Sequence, residues 1–244
     1  MKAKKVYEFV NPRERNFDLN LGRKAEIKKD FDAWLKECNY TDEWPRYEIT
    51  KDLNVIVLDS FLIARPAKEI PEYVIEVNGD LDIEGTYIEY IKHHIHVTGE
   101  FIGRDCPLKE FPNVTAEEGF DITGTEITKL PDPLNINGNL LIYRSPIAAL
   151  PDNIYVNGNF VAGESEKLVY CGKNIEVTKK FNLSESFNLS KLPENLKCEE
   201  LDISFTKIEE IPDSIEVSKK IYISRYMSRD IWYSEKFADK IELV

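Results

Sequence analysis

Long hydrophobic runs are missing from this 244-residue chain. Stretches such as VIVL at 55–58 and FLIA at 61–64 fall far short of the ~20 apolar residues that a membrane-spanning helix needs, so no membrane is expected as a partner. The start, MKAKKVYEFVNPRER, lacks the apolar core of a secretory signal, and the expectation is a cytoplasmic protein. Cysteine is sparse: Cys38, Cys106, Cys171 and Cys198 are far apart, with no C-x-x-C, which argues against zinc and a disulfide framework and for reduced thiols. Phosphate-binding, metalloprotease and nucleophile-elbow motifs are absent, so neither enzymatic activity nor a cofactor is expected. Positive charge is in short supply. Lys and Arg number 32 against 44 Asp and Glu, for a net charge of −12. Residues 1–46 hold 11 basic and 9 acidic groups, which leaves −14 on the remainder. Such a field repels nucleic acid and favours a protein partner with a basic surface.

What the chain does have is a period. An apolar residue following a V-x-G-x pattern recurs at Leu53, Leu81, Phe101, Phe120, Leu140, Phe160, Phe181, Leu201, Ile221 and Ile241, at intervals of 28, 20, 19, 20, 20, 21, 20, 20 and 20. The consensus is V-x-G-x-L-x-I-x-x-T-x-I-x-x-L-P-D-x-I-x, clearest in VNGDLDIEGTYIEYI and LDISFTKIEEIPDSIEV. A period this regular predicts a solenoid. L-x-I reads as a short strand with two inward side chains. The next apolar residue (Ile88, Leu108, Ile127, Ile147, Ile208) and the one before proline (Phe111, Leu130, Leu150, Leu192, Ile211) fill the coil. Five places after the anchor stands a small polar residue, Thr86, Cys106, Thr125, Ser145, Ser165, Ser186 or Thr206, read as a buried structural ladder. Glycines 79, 99, 138 and 158 mark the corner into the strand. The interval of 28 predicts an insertion around SFLIARPA, either a protrusion or part of the cap. FPNV is read as one residue short and SESFNLSKL as one residue long. The competing fold is a hairpin meander, since Asn-Gly at 78–79, 137–138 and 157–158 is a strong hairpin signal, but Lys179 and Lys219 replace the glycine later.

The consensus resembles the leucine-rich repeat, in particular the short LP-containing kind of bacterial effectors and small bacterial and phage proteins. The resemblance spans about Tyr47 to the C-terminus. It implies an α+β solenoid: a leucine-rich-repeat array, 47–225, with a parallel β-sheet on its concave face. A capping segment, 1–46, carries one amphipathic helix with Ile27, Phe31, Trp34 and Leu35 on one face, and a second cap, 226–244, carries Trp232, Tyr233 and Phe237. It also implies a bacterial or phage-infected cytoplasm and, as a job, recognition or inhibition of a host protein. Effectors with a separate ubiquitin-ligase domain share such repeats, but no segment here is expected to supply one.

Side-chain alternation then points to a site. In L-x-I the x residues face away from the core, and most are polar. Leu141, Tyr143 and Val161 are not, and are expected to form an exposed apolar patch at mid-array, with Arg144 and Arg104 at its border and Ile102 and Tyr222 on the same face. The principal expectation is a non-enzymatic protein-binding module using that face. The alternative is a structural subunit of a larger assembly such as a phage particle, and self-association fits either. HHIHV at 93–97 raises a third expectation, of metal held by His93, His94 and His96, which lacks neighbouring ligands at suitable spacing.

Overall fold

The computed structural model describes residues 12–38, 44–226 and 231–244, with side chains from residue 20 onward. The parts of both expected caps at 1–11, 39–43 and 227–230 lie outside the described residues.

The chain winds as a parallel β-solenoid. Two ladders run along it, one on each side of a corner. The anchor ladder pairs Phe61 with Leu81, Leu81 with Phe101, Phe101 with Phe120, Phe120 with Leu140 and Leu140 with Phe160. It continues through Phe181, Leu201, Ile221 and Ile241. The entry ladder stacks Val55–Val57, Val74–Val77, Ile95–Val97 and Val114–Ala116, with Leu134–Asn137 and Ile154–Asn157 at the same place in later coils. In the last coils one strand crosses the corner and serves both ladders: Ile175–Asn182, Leu196–Asp202 and Glu216–Ile223. Every pairing between coils is parallel; among the described residues antiparallel pairing occurs just between Tyr47–Ile49 and Val55–Val57, and the hairpin meander is ruled out.

The Asn-Gly pairs have a different use. Asn157 donates its amide to Asn137 Oδ1 at 3.1 Å, and Asn137 donates to Glu117 O at 2.7 Å, a side-chain ladder along the corner. Gly138 beside it has φ +90°, and a Cβ there would lie 1.9 Å from Glu118 O. The corner packs backbone on backbone, which excludes a side chain at this coil.

Two expectations of register need correcting. Leu53 is not the first anchor: it is half-buried in a turn before the entry ladder, with φ +69°. Phe61 occupies the anchor position, exactly one 20-residue coil before Leu81, so SFLIARPA is the first coil and not an insertion. No glycine stands two places before Phe61, where Gly79, Gly99, Gly138 and Gly158 precede later anchors, so the local pattern does not mark it. The extra residue of the 21-residue interval also lies elsewhere. Leu150 pairs with Cys171, ten and eleven places after their anchors, so the addition falls within 161–171. The next coil is irregular near 198–200, where the ladder register shifts.

The core is an uninterrupted stack of anchors, of +2 residues such as Ile83, Ile142 and Leu183, and of coil-filling Ile88, Leu108, Ile127 and Ile147, all essentially inaccessible. Each such side chain contributes roughly 1.5–3 kcal/mol on burial. The small polar column is buried as expected. Thr125 and Thr206 donate to the carbonyls of Ile122 and Ile203 at 2.9 and 2.8 Å, and Cys106 Sγ donates to Ile83 O at 2.8 Å. These bonds satisfy carbonyls where the chain leaves the strand.

The open end of the first coil is closed by the helix Pro12–Cys38. Its Phe31 and Leu35 are buried, and Phe31 makes edge contacts with Tyr47, Phe61 and Tyr73 at ring separations of 4.8, 6.2 and 6.1 Å. Lys24 donates to Ile49 O at 2.7 Å, covering a carbonyl of the edge strand. At the other end Phe237 and Ile231 are buried, whereas Trp232 is mostly exposed. Lys236 and Lys240 donate to the carbonyls of Ile215, just before the last entry strand, and Val217, within it, at 3.3 and 2.6 Å. Cationic side chains on edge carbonyls oppose strand addition there.

Candidate interaction surface

The outer row of the anchor ladder runs, coil by coil, through Leu62, Asp82, Ile102, Asp121, Leu141, Val161, Asn182, Asp202, Tyr222 and Glu242. Its polar members have a structural task. Asp82 Oδ1 accepts the N–H of Glu84 at 2.8 Å, Asp121 that of Thr123 at 3.1 Å, Asn182 that of Ser184 at 2.8 Å and Asp202 that of Ser204 at 3.2 Å. Each closes the strand end with its own side chain. Ile102, Leu141, Val161 and Tyr222 cannot do this, so the departures from the consensus sit where the fold forgoes a hydrogen bond worth about 0.5–1.5 kcal/mol.

The seven residues singled out from the sequence fall into three groups. Leu141 and Val161 are register neighbours, both half-buried and facing out, while Leu140 and Ile142 point in and are buried. Tyr143 follows on the same face. Its hydroxyl donates to Glu164 Oε1, and Arg144 lies over its ring, 5.3 Å from the centroid. The bond to the Glu164 carboxylate, then burial, hold the phenol above its ordinary value of 10.0. These four residues form one patch. Ile102 and Arg104 are two coils away, separated from it by Asp121, and Arg104 is held by Glu84 at 2.7 Å with Asp121 at 3.7 Å. Tyr222 lies beyond Asn182 and Asp202; its hydroxyl donates to Glu200 at 3.2 Å and Lys180 sits 4.6 Å over its ring. Arg104 and Tyr222 are thus engaged within the chain.

One part of the surface was not legible beforehand. Beside the patch, where the chain turns out of the strand, a groove of about 740 Å³ is lined by Arg144, Glu164, Glu166, Lys167, Glu185 and Phe187, among others. Arg144, Glu164 and Glu185 occupy one column with φ of 54°, 46° and 58°. This left-handed turn throws the side chains outward from successive coils. Phe187 forms a wall and is half exposed. Among the described residues Glu126, Glu166 and Glu185, which all border the groove, have no ion-pair partner, while elsewhere pairs such as Lys109–Glu89 and Lys219–Glu199 join adjacent coils at 2.7 and 2.6 Å. The signal available in the sequence was the column four places after each anchor, where Gly, Asp, Arg and Glu alternate without apolar residues until Phe205.

The histidines go to separate partners. His93 Nε2 meets Val74 O at 2.7 Å, His94 Nε2 meets Thr115 Oγ1 at 2.9 Å, and His96 pairs with Glu117 at 3.2 Å. Ile95 and Val97 point inward between them. Among the described residues no group of three or more His, Cys, Asp or Glu has a metal-holding arrangement, and no helix is long and apolar enough to cross a membrane.

Comparisons with protein-family models, with curated proteins and with solved structures find no match to this chain.

Proposed function

We propose that this solenoid is a non-enzymatic protein-binding module that takes its partner on the outer face of the anchor ladder, around Leu141, Tyr143, Arg144 and Val161. The observation carrying this reading is the register of Leu141 beside Val161 at positions where other coils place a strand-closing Asp or Asn. Two neighbouring coils give up a hydrogen bond and put half-buried apolar groups on an outward face, which the fold does not require. Tyrosine and arginine beside them are the residue types that anchor interfaces. The glutamates of the adjoining groove favour a partner with a basic surface, whose encounter with an acidic chain is fast and salt-sensitive. In this reading the repeat is of the short leucine-rich kind, works in a bacterial or phage-infected cytoplasm and occupies or inhibits a host protein.

The test is Leu141→Asp together with Tyr143→Asp, followed by affinity capture and mass spectrometry from the native cell. The circular dichroism spectrum stays native and the captured partner is lost. Unchanged capture by the double variant refutes the assignment of this face.

A further inference from the structure

The chain repeatedly seats a cation between a carboxylate and an aromatic ring. Lys28 pairs with Asp32 at 2.9 Å and lies 5.3 Å from the centre of the Tyr47 ring. Lys109 pairs with Glu89 at 2.7 Å and lies 5.9 Å from the centre of Tyr90. Lys180 pairs with Asp202 at 2.8 Å and lies 4.6 Å from the centre of Tyr222, the register neighbour of that aspartate. In each case the carboxylate and the negative face of the ring attract the same charge from two sides.

A fourth arrangement of this kind, in the groove beside Tyr143, has no cation supplied by the chain. Phe187 is half exposed there. Glu166 stands one coil earlier in the same column, ~4.8 Å along the ladder, and Glu185 precedes the ring across the buried Ser186. Among the described residues neither glutamate has an ion-pair partner, and no Lys or Arg covers the Phe187 ring. Lys167 borders the groove without doing either, and Arg144 is taken up by the Tyr143 ring.

The groove follows the buried small polar column, with Thr125 and Ser145 in its floor and the residues on either side of that column as walls. Its lining comes from four successive coils, so it extends roughly 14 Å along the array. Ser145 is 5% exposed and its Oγ makes no hydrogen bond among the described residues, whereas Thr125, Ser165 and Ser186 in the same column bond main-chain carbonyls at 2.9, 3.3 and 3.4 Å. The floor thus keeps an uncommitted hydroxyl. Four glutamates against Arg144 and Lys167 give the lining a net charge of −2. Tyr143 joins this groove to the apolar patch, since its hydroxyl donates to Glu164 in the wall. A guanidinium suits the place better than an ammonium, because it stacks flat on a ring while its edges fork to carboxylates on different sides.

We propose that Glu166, Glu185 and Phe187 form a subsite for an arginine side chain of the partner protein, which lays its guanidinium on the Phe187 ring between the two carboxylates. The subsite rests on the protein-binding reading of the adjoining face and specifies what the partner inserts beside it.

Titration of the ¹³C-labelled wild type with N-acetyl-glycyl-arginyl-glycinamide tests it, with the lysyl and citrullyl peptides as comparisons. The Phe187 ring and the Glu166 and Glu185 carboxylates shift and saturate with the arginyl peptide, at least about threefold more tightly than with the lysyl one. The citrullyl peptide, alike in shape but uncharged, does not saturate. Raising NaCl to about 0.5 M weakens the arginyl peptide at least about threefold. Glu166→Gln plus Glu185→Gln abolishes its binding, and Phe187→Leu, which keeps both carboxylates, removes the preference for arginyl over lysyl. No saturation by the arginyl peptide, equal binding of all three peptides, or binding unchanged in the double glutamine variant overturns the proposal. In capture from the native cell, a partner retained by Glu166→Gln plus Glu185→Gln and lost by Leu141→Asp plus Tyr143→Asp removes the arginine subsite and leaves the docking face. A saturating titration with capture unchanged by Leu141→Asp plus Tyr143→Asp removes the docking face and leaves the subsite.

Discussion

Substituting Gly138 with alanine isolates the corner on which the coil geometry depends. Gly138 has φ +90°, donates to Asn157 O at 3.2 Å, and has Glu118 O and Gly119 N at 1.9 and 2.7 Å from the place a Cβ would take. A left-handed φ costs alanine roughly 1–2 kcal/mol. Moving a neighbouring corner aside is an overpacking strain of roughly 1–3 kcal/mol, and the stiffer unfolded chain offsets about 0.4–1 kcal/mol. The net expectation is a destabilisation of about 2–4 kcal/mol. Two controls fix the interpretation. Gly22 lies in the exposed part of the helix with nothing within 4 Å of its would-be Cβ, so Gly22→Ala stabilises by roughly 0.5–1 kcal/mol. Lys179 holds the equivalent corner inside a continuous strand with no left-handed φ, so Lys179→Gly destabilises by about 0.5–1 kcal/mol. Urea unfolding followed by circular dichroism measures all three. Gly138→Ala within about 0.5 kcal/mol of wild type, the ordinary range of surface changes, refutes the packed-backbone account of the corner.

Other predictions concern register, charge and thiols. Phe61→Ala costs about 3–5 kcal/mol in urea unfolding, because Phe61 is a buried anchor packed edge-on against Trp34 and Phe31, whereas Leu53→Ala, in a half-exposed turn, costs less than about 1 kcal/mol; equal losses contradict the reassigned anchor. Glu100 is held above its ordinary value of 4.5 by burial, then by Asp121 and Asp80. A raised carboxyl pKa penalises the folded state once pH exceeds the folded value, and the penalty vanishes below 4.5. Glu100→Gln therefore raises the Tm at pH 7 and leaves it unchanged at pH values below 4.5; a gain of the same size at both pH values contradicts the assignment. Burial pushes the Cys171 and Cys198 thiols up to about 12, so neither reacts with iodoacetamide at pH 8 until urea unfolds the chain, as mass spectrometry of the labelled protein shows.

The period of the apolar residues determined most of this architecture by itself. Alternation within L-x-I decides which side chains turn inward, and about twenty residues return the chain to the same place, so the anchors from Leu81 onward, the small polar column and the outward direction of Leu141 and Val161 were legible. The helix face with Phe31 and Leu35 was legible for the same reason, since one residue in three or four recurs on one side. Tertiary structure alone decided what depends on contacts between coils. Leu53 and Phe61 both satisfy a local pattern, and only the pairing of Phe61 with Leu81 separates them. Asn-Gly is equally a hairpin turn or a corner, until Asn157 is seen to bond Asn137 one coil away. The turn at Arg144, Glu164 and Glu185 brings together side chains about twenty residues apart into one groove. A sequence fixes the direction of each side chain within its own strand; the stacking of strands sets which backbone groups find a partner.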